Sequence, residues 1–227
     1  MLKQLLQMLG GKSPLNTMLA EFAQMIEKTE WMYDIAIQVL MRKKRPEDVR
    51  EEIYGKDKEV NEHQRSIRRK IVRHLTLQPG TDVPACMVLM SVVKDAERMG
   101  DFCKNIFELA TMFDVTFDRG RYKTPLIELS EQVENLFGKT RKAFERSDEE
   151  IARSIIAMGT RISKQCDMLI KQLMVDNLPT KKAVGYTLMA RYLKRLSSHL
   201  TNIATSVITS VDKLDYLDEP GPSDEQE

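Results

Sequence analysis

Glu97 and Asp101 stand four residues apart in the run DAERMGDFCKNI, residues 95–106. On a helix that spacing puts both carboxylates on one face, about 40° apart and one turn from each other. Glu108 follows eleven residues after Glu97, about 20° round the same face, with Asn105 between them in height. Upstream, Asp57 and Asn61 repeat the four-residue spacing, and Glu30 and Asp34 do so again. Oxygen-rich pairs from neighbouring helices suit hard or borderline cations such as magnesium, manganese, calcium or iron. Like charges one turn apart destabilise a helix by roughly 0.2–0.5 kcal/mol, and a bound cation reverses that sign. The same pattern also suits a solvated acidic face balanced by Lys58, Lys94 and Lys104. Spacing leaves both readings open.

Other chemistry finds less support. A di-iron carboxylate enzyme wants Glu-x-x-His on facing helices. Val60, Ile71 and Leu196 stand three residues before His63, His74 and His199, so no such pair exists. The three histidines are expected at partly exposed helix positions. Cys86, Cys103 and Cys166 have no CxxC spacing and cannot build a disulfide framework, which predicts small buried residues in a reduced, cytoplasmic chain. Gly-x-Ser-x-Gly is missing, and GGKS at 10–13 lacks the first glycine and the preceding strand of a phosphate loop. Nucleophilic catalysis therefore has no support in the sequence.

Charge narrows the partners. The 227 residues carry 35 Lys and Arg against 34 Asp and Glu, a net charge of +1, which removes the usual argument for bulk nucleic-acid or membrane-surface binding. One local exception is RSIRRKIVR (65–73), with five bases in nine residues. Ile67 and Ile71 mark its apolar side, so the bases should face solvent or an acidic partner. Asp57, Glu59 and Glu62 just upstream weaken a nucleic-acid reading. No stretch reaches the ~18 apolar residues of a membrane span. The N-terminal MLKQLLQMLGG lacks the full apolar region and cleavage site of a signal peptide.

The elements that must position these groups are helices. Gly and Pro are few, at 10 and 8, against 14 Met, most of which are expected to fill the core. Apolar residues recur at three- and four-residue spacing in six long stretches, and no alternating strand pattern appears. Leu15 to Val39 mark the first, opened by Ser13-Pro14 and broken by RKKRPED at 42–48. Val49 to Leu75 mark the second, and QPGTD at 78–82 is a turn. Met87 to Ala110 mark the third. DRGRYKTP at 118–125 is the clearest linker, with Thr124 as the expected cap. Leu129 to Phe144, Ile151 to Leu173 and Leu188 to Val207 mark the last three, with Ser147 and Glu150 at capping-box spacing and DNLPT at 176–180 a turn.

Three helices plus three suggests an internal repeat. Arg98, Asn105 and Ile106 match Arg195, Asn202 and Ile203 at an offset of 97. Val60 and Ile67 match Ile162 and Leu169 at an offset of 102. The organisation read from this is an N-terminal extension (1–13), a first three-helix repeat (14–117), a linker (118–124), a second repeat (125–216) and an acidic, disordered tail (217–227).

KDKEVNEHQRSI (56–67) followed by DAERMGDFCKNI (95–106) resembles the PhoU family. The resemblance rests on Glu97, Arg98, Gly100, Asp101, Asn105 and Ile106, with Asp57 and Asn61, and extends over roughly residues 14–216. It implies an all-α fold of two tandem antiparallel three-helix bundles. It also implies a regulator of phosphate uptake and phosphate-starvation signalling, not an enzyme, that contacts a phosphate transporter's ATPase, a sensor histidine kinase, or both. Some members bind metal through acidic pairs on these helices. The ligand set the resemblance implies is Glu97, Asp101, Asp57 and Asn61, with Glu30, Asp34 and Glu108 as further acids and Arg98 and Asn105 in support. Iron, zinc, manganese, magnesium and calcium all remain open as the ion. In the second repeat the matching positions read Lys194, Ser198, Gly159 and Ser163, so any metal is expected in the first repeat alone. A metal-free helical adaptor and an accessory subunit of a sodium–phosphate cotransporter are the alternatives, and self-association is left open.

Overall fold

Proline sets the start of the first two helices. Its fixed φ suits the first turn, where a missing N–H costs nothing. Thus α1 runs Pro14–Leu40 and α2 runs Pro46–Leu77, and between them Arg42 takes a left-handed φ of 56°. Glu47 and Asp48 lie in the first turn of α2, where carboxylates complement the helix dipole. Helix α3 spans Val83–Met112, α4 Lys123–Arg146, α5 Glu149–Val175 and α6 Thr180–Ile208. The computed structural model describes residues 14–112, 120–209 and 214. The expected N-terminal extension and acidic tail lie outside the described residues, as does part of the expected linker.

Two local expectations need correction. The cap of α5 is Asp148, whose carboxylate accepts from the Ile151 N–H, while Ser147 closes α4 in a left-handed conformation with φ 48°. Two helices joined by one residue pair leave no room for a Ser147 capping box: Ser147 must turn the chain, so the next residue caps. Likewise α4 begins at Lys123, ahead of the expected cap at Thr124.

The described residues form six helices and no strand, with α1–α3 packed as one three-helix bundle and α4–α6 as a second. The stripes that join them differ in width. Helix α1 buries a broad face including Leu15, Met18, Phe22, Met25, Ile26, Met32 and Tyr33. Helix α2 buries only Val49, Ile53, Val60, Ile67, Ile71 and His74, so most of its circumference faces solvent.

The bundles meet through α3 against α6 and α1 against α4, giving one continuous core. On the α1–α4 side the Phe22 and Phe144 rings pack edge-on at 4.8 Å, and the Tyr33 hydroxyl donates to the Ser130 carbonyl at 2.8 Å. On the α3–α6 side Asp95 accepts from Asn202 at 3.1 Å and pairs with His199 Nδ1 at 2.8 Å. The His199 ring stacks on Phe102, which also meets Tyr192.

This seam repeats itself. At the sequence offset of 97, Asp95 corresponds to Tyr192 and Phe102 to His199. The Asp95–His199 pair is therefore the counterpart of the Tyr192–Phe102 pair, related by a local two-fold between the repeats. Hydrogen bonding fills one half of the seam and aromatic packing the other.

Candidate functional site

The middle of α3 faces α2 in the first bundle, and this brings the predicted carboxylates together. At Gly100 α3 meets both neighbours: a Cβ there would make ordinary van der Waals contact with Thr29 of α1 and with Val60 and Asp57 of α2, at 3.7–3.9 Å. Around this point Asp57, Glu97 and Asp101 form one cluster with Arg98 and Lys104. The Lys104 ammonium donates to Asp57 at 2.9 Å and to Asp101 at 3.4 Å. Arg98 donates to Asp101 at 3.1 Å and lies 3.7 Å from Glu97. Three carboxylates thus meet two fixed cations, leaving one net negative charge.

Burial and then the Asp101 charge push the Glu97 carboxyl above its ordinary range, with Arg98 and Arg68 opposing. Burial works against the Lys104 ammonium, yet the Asp57 hydrogen bond and the two carboxylate charges hold its pKa above the ordinary lysine value. Lys104 is therefore a permanent cation at neutral pH.

Asn61 and Asn105 lie on these helices, half-buried, without a side-chain hydrogen bond among the described residues. The remaining acids are elsewhere. Glu108 accepts from the Tyr54 hydroxyl at 2.8 Å, two turns further along α3. Asp34 accepts from Gln38 on the exposed side of α1. Glu30 faces the second bundle, 3.4 Å from Arg141 on α4, and burial raises its pKa. The sequence stripes are real, but the helix contacts divide the acids among four places.

A resident metal ion would have to displace the Lys104 ammonium from this cluster. Among the described residues, no group of three or more His, Cys, Asp or Glu side chains converges to hold one. The position between Asp57 and Asp101, where a cation would be coordinated, holds an ammonium group. Sequence reasoning named Lys104 only as a neighbouring base. Its four-residue step from Gly100 and three-residue step from Asp101 were the available signals that it shares their face.

The corresponding place in the second bundle has no Asp–Lys bridge between these two positions. At the offsets of 102 and 97, Asp57 becomes Gly159 and Lys104 becomes Thr201. There the helices close up, so that a Cβ on Gly159 would sit 2.1 Å from Thr201 Oγ1. Thr201 in turn donates to the Ser197 carbonyl at 2.9 Å. An Asp–Lys pair in one repeat is thus a glycine–threonine contact in the other. Lys194, at the Glu97 position, donates to Asp167 on α5 at 2.6 and 2.7 Å.

The histidines correct another expectation. His74 is buried rather than partly exposed, 3.2 Å from Asp82, because the turn after α2 folds back over it. His63 is half-buried and meets Glu21 at 3.1 Å. Glu21 is half-buried, which opposes ionisation, but its bonds to Lys70 and His63 hold its pKa below the ordinary value. Asp95, with His199 and Asn202, was missed from sequence altogether. These partners lie more than a hundred residues apart and no local spacing announces them.

Comparison with known proteins follows this division into repeats. The PhoU domain model matches residues 22–110 and again 126–207. A phosphate-specific transport system accessory protein PhoU homolog from Pseudomonas putida is 25% identical over 158 residues, covering 67% of this chain and 62% of that protein. The match thus spans less than two thirds of that relative. A protein of the same description from Xylella fastidiosa is 23% identical over 199 residues, covering 86% of this chain and 82% of its own. The crystal structure of PhoU from Pseudomonas aeruginosa superposes with a TM-score of 0.76 at 22% identity, covering 86% of this chain and 95% of that one. The phosphate transport system regulatory protein PhoU from Streptococcus pneumoniae gives 0.74 at 21%, covering 86% and 93%. Both share the fold.

Proposed function

The chain belongs to the PhoU domain family, and from this we propose that it regulates phosphate uptake and phosphate-starvation signalling by protein–protein contact. Its partners in this reading are the ATPase of a phosphate transporter, a sensor histidine kinase, or both. The observation that carries it is the family match across both bundles, together with relatives described as accessory proteins of phosphate-specific transport. The fold suits contact. Its polar groups sit on long helix faces, and none of the described helices is long and apolar enough to cross a membrane.

Within this reading the acidic cluster of the first bundle is a contact surface with Lys104 as its cation. The metal-free adaptor is favoured over a metal-loaded regulator because Lys104 bonds both Asp57 and Asp101. No step of the regulation is assigned to a metal. The chain would work from the cytoplasmic side of the transporter, where its ATPase lies.

The test is co-purification of the tagged chain with the phosphate transporter's ATPase subunit from the same cells, with and without EDTA. Recovery of the ATPase in both conditions supports a metal-independent regulator. Recovery only without EDTA restores the metal-dependent reading, and recovery in neither removes the ATPase as partner.

A further inference from the structure

The outer face of α2 carries a basic stripe that is largely unneutralised among the described residues. Arg65, Arg68, Arg69 and Arg73 are all exposed, and they recur at the spacing that lines one side of a helix. Among the described residues no carboxylate lies within ion-pair distance of Arg65, Arg69 or Arg73. Arg68 acts on Glu97 only at longer range. The contrast with Lys70 is informative, since it sits in the same run but is tied to Glu21. Two apolar side chains interrupt the stripe in full view of solvent: Val72 is 60% exposed and Leu77 68%.

The same chain contains the complementary charge. Residues 216–227 hold five acids (Asp218, Glu219, Asp224, Glu225 and Glu227) and no base. The last described helix ends at the end of the molecule that carries the stripe. Helices α2 and α3 are antiparallel, with Tyr54 against Glu108, Gln64 against Val93 and His74 against Asp82. The stretch 65–73 therefore flanks α3 from about Val93 toward Asp82. Helix α6 is also antiparallel to α3, with Tyr192 against Phe102 and Asn202 against Asp95. Ile208 lies six residues past Asn202, about 9 Å further toward that same end. Leu214, six residues past Ile208, is itself buried.

Reach is sufficient. Helix α3 packs on both α2 and α6, and two interaxial steps of about 8–10 Å put the α2 axis within about 20 Å of α6. From the buried Leu214 the chain spans up to about 14 Å to Asp218 and up to about 45 Å to Glu227. The other basic run, at 42–45, lies twenty residues before Arg65, about 30 Å along α2 at the far end.

We propose that the arginine stripe of α2 is the docking surface for this chain's own acidic run at 218–227. The run covers Arg65, Arg68, Arg69 and Arg73 until an acidic partner segment competes for them. A tether of this length gives an effective concentration on the order of millimolar, so weak, salt-sensitive pairing is enough to occupy the stripe. The inference does not depend on which protein the regulator contacts.

The test uses the full chain with a neutralised run, D218N/E219Q/D224N/E225Q/E227Q. The probe is a fluorescein-labelled peptide of sequence YLDEPGPSDEQE, followed by anisotropy at low salt. The peptide is expected to bind the neutralised chain at least tenfold more tightly than the wild-type chain, whose own run competes. Adding R65E/R69E/R73E should abolish that binding, as should about 0.5 M salt. Thermal melts check that the variants fold, and R65Q/R69Q/R73Q replaces the charge reversal if stability falls. Equal binding to wild-type and neutralised chains overturns the proposal, as does binding that survives loss of the arginines. Competition that depends on protein concentration assigns the stripe to a second copy and overturns the intramolecular contact. Binding of the neutralised chain to phosphatidylglycerol vesicles without peptide binding assigns it to a lipid surface, which also overturns it.

Discussion

Replacing Lys104 with methionine keeps the apolar stem and deletes the ammonium that joins Asp57 to Asp101. The Lys104 and Asp57 side chains are 22% and 14% exposed, so the pair is largely shielded from water. Its removal strands a half-buried carboxylate with only distant cations. Losing one partner of a charged hydrogen bond costs on the order of 2 kcal/mol in such a setting, below the ~3–5 kcal/mol of a fully buried pair. At about 2–4 °C per kcal/mol for a protein of this size, the melting temperature should fall by about 4–8 °C at pH 7.5. The variant then presents Asp57, Glu97 and Asp101 without their shared cation. Manganese at a hundredfold excess over its dissociation constant would restore about 2.7 kcal/mol. The assay is differential scanning fluorimetry of both proteins in EDTA and in manganese chloride. The wild-type melt should be indifferent to both additions, and the variant's melt should rise with manganese. A wild-type melt that drops in EDTA, or a variant as stable as wild type, would refute the reasoning.

Glu97→Gln should raise stability at pH 7–8. A carboxyl with a raised folded-state pKa contributes its full stability below the unfolded value of 4.5 and loses it as pH rises through the folded value. The gain should therefore shrink toward pH 4, whereas a metal ligand would show a loss, and thermal melts across pH separate the two. Gly159→Ala should cost about 1–3 kcal/mol, because the new methyl group overlaps Thr201 Oγ1. Thr201→Ala should recover part of that in a double-mutant cycle by urea denaturation, and strict additivity would contradict the close approach. The three cysteines are buried, and burial pushes the Cys166 thiol up to about 12 and the Cys103 thiol well above its usual range. Ellman's reagent should leave all three unlabelled in the native protein and label them in urea; fast native labelling would contradict the packing.

Much of this architecture is legible in the sequence because helices announce themselves locally. Leu15, Met18, Phe22, Met25 and Ile26 repeat at the helical period, and prolines at 14 and 46 mark two starts. The repeat was legible too. The offsets of 97 and 102 place Gly159 opposite Thr201, just as Asp57 stands opposite Lys104. What escaped was set by tertiary neighbours. Periodicity groups Glu97, Asp101 and Glu108 on one stripe, yet Tyr54 takes Glu108 away from the cluster. Glu30 and Asp34 share a spacing, but Glu30 turns to Arg141 in the other bundle. The Asp95–His199 contact depends on how two repeats are laid together, which no window of sequence contains. Asp148 rather than Ser147 caps α5 because a single residue cannot both end one helix and begin the next.

The proposed role is regulation of phosphate uptake, with the chain acting as a restraint when phosphate is ample. The most direct measurement is phosphate uptake by cells grown in ample phosphate, with the gene intact, deleted, and restored from a plasmid. Uptake that rises on deletion and returns to its former rate on restoration is the predicted result. Uptake unchanged by deletion, in cells whose transporter is expressed, would contradict the account.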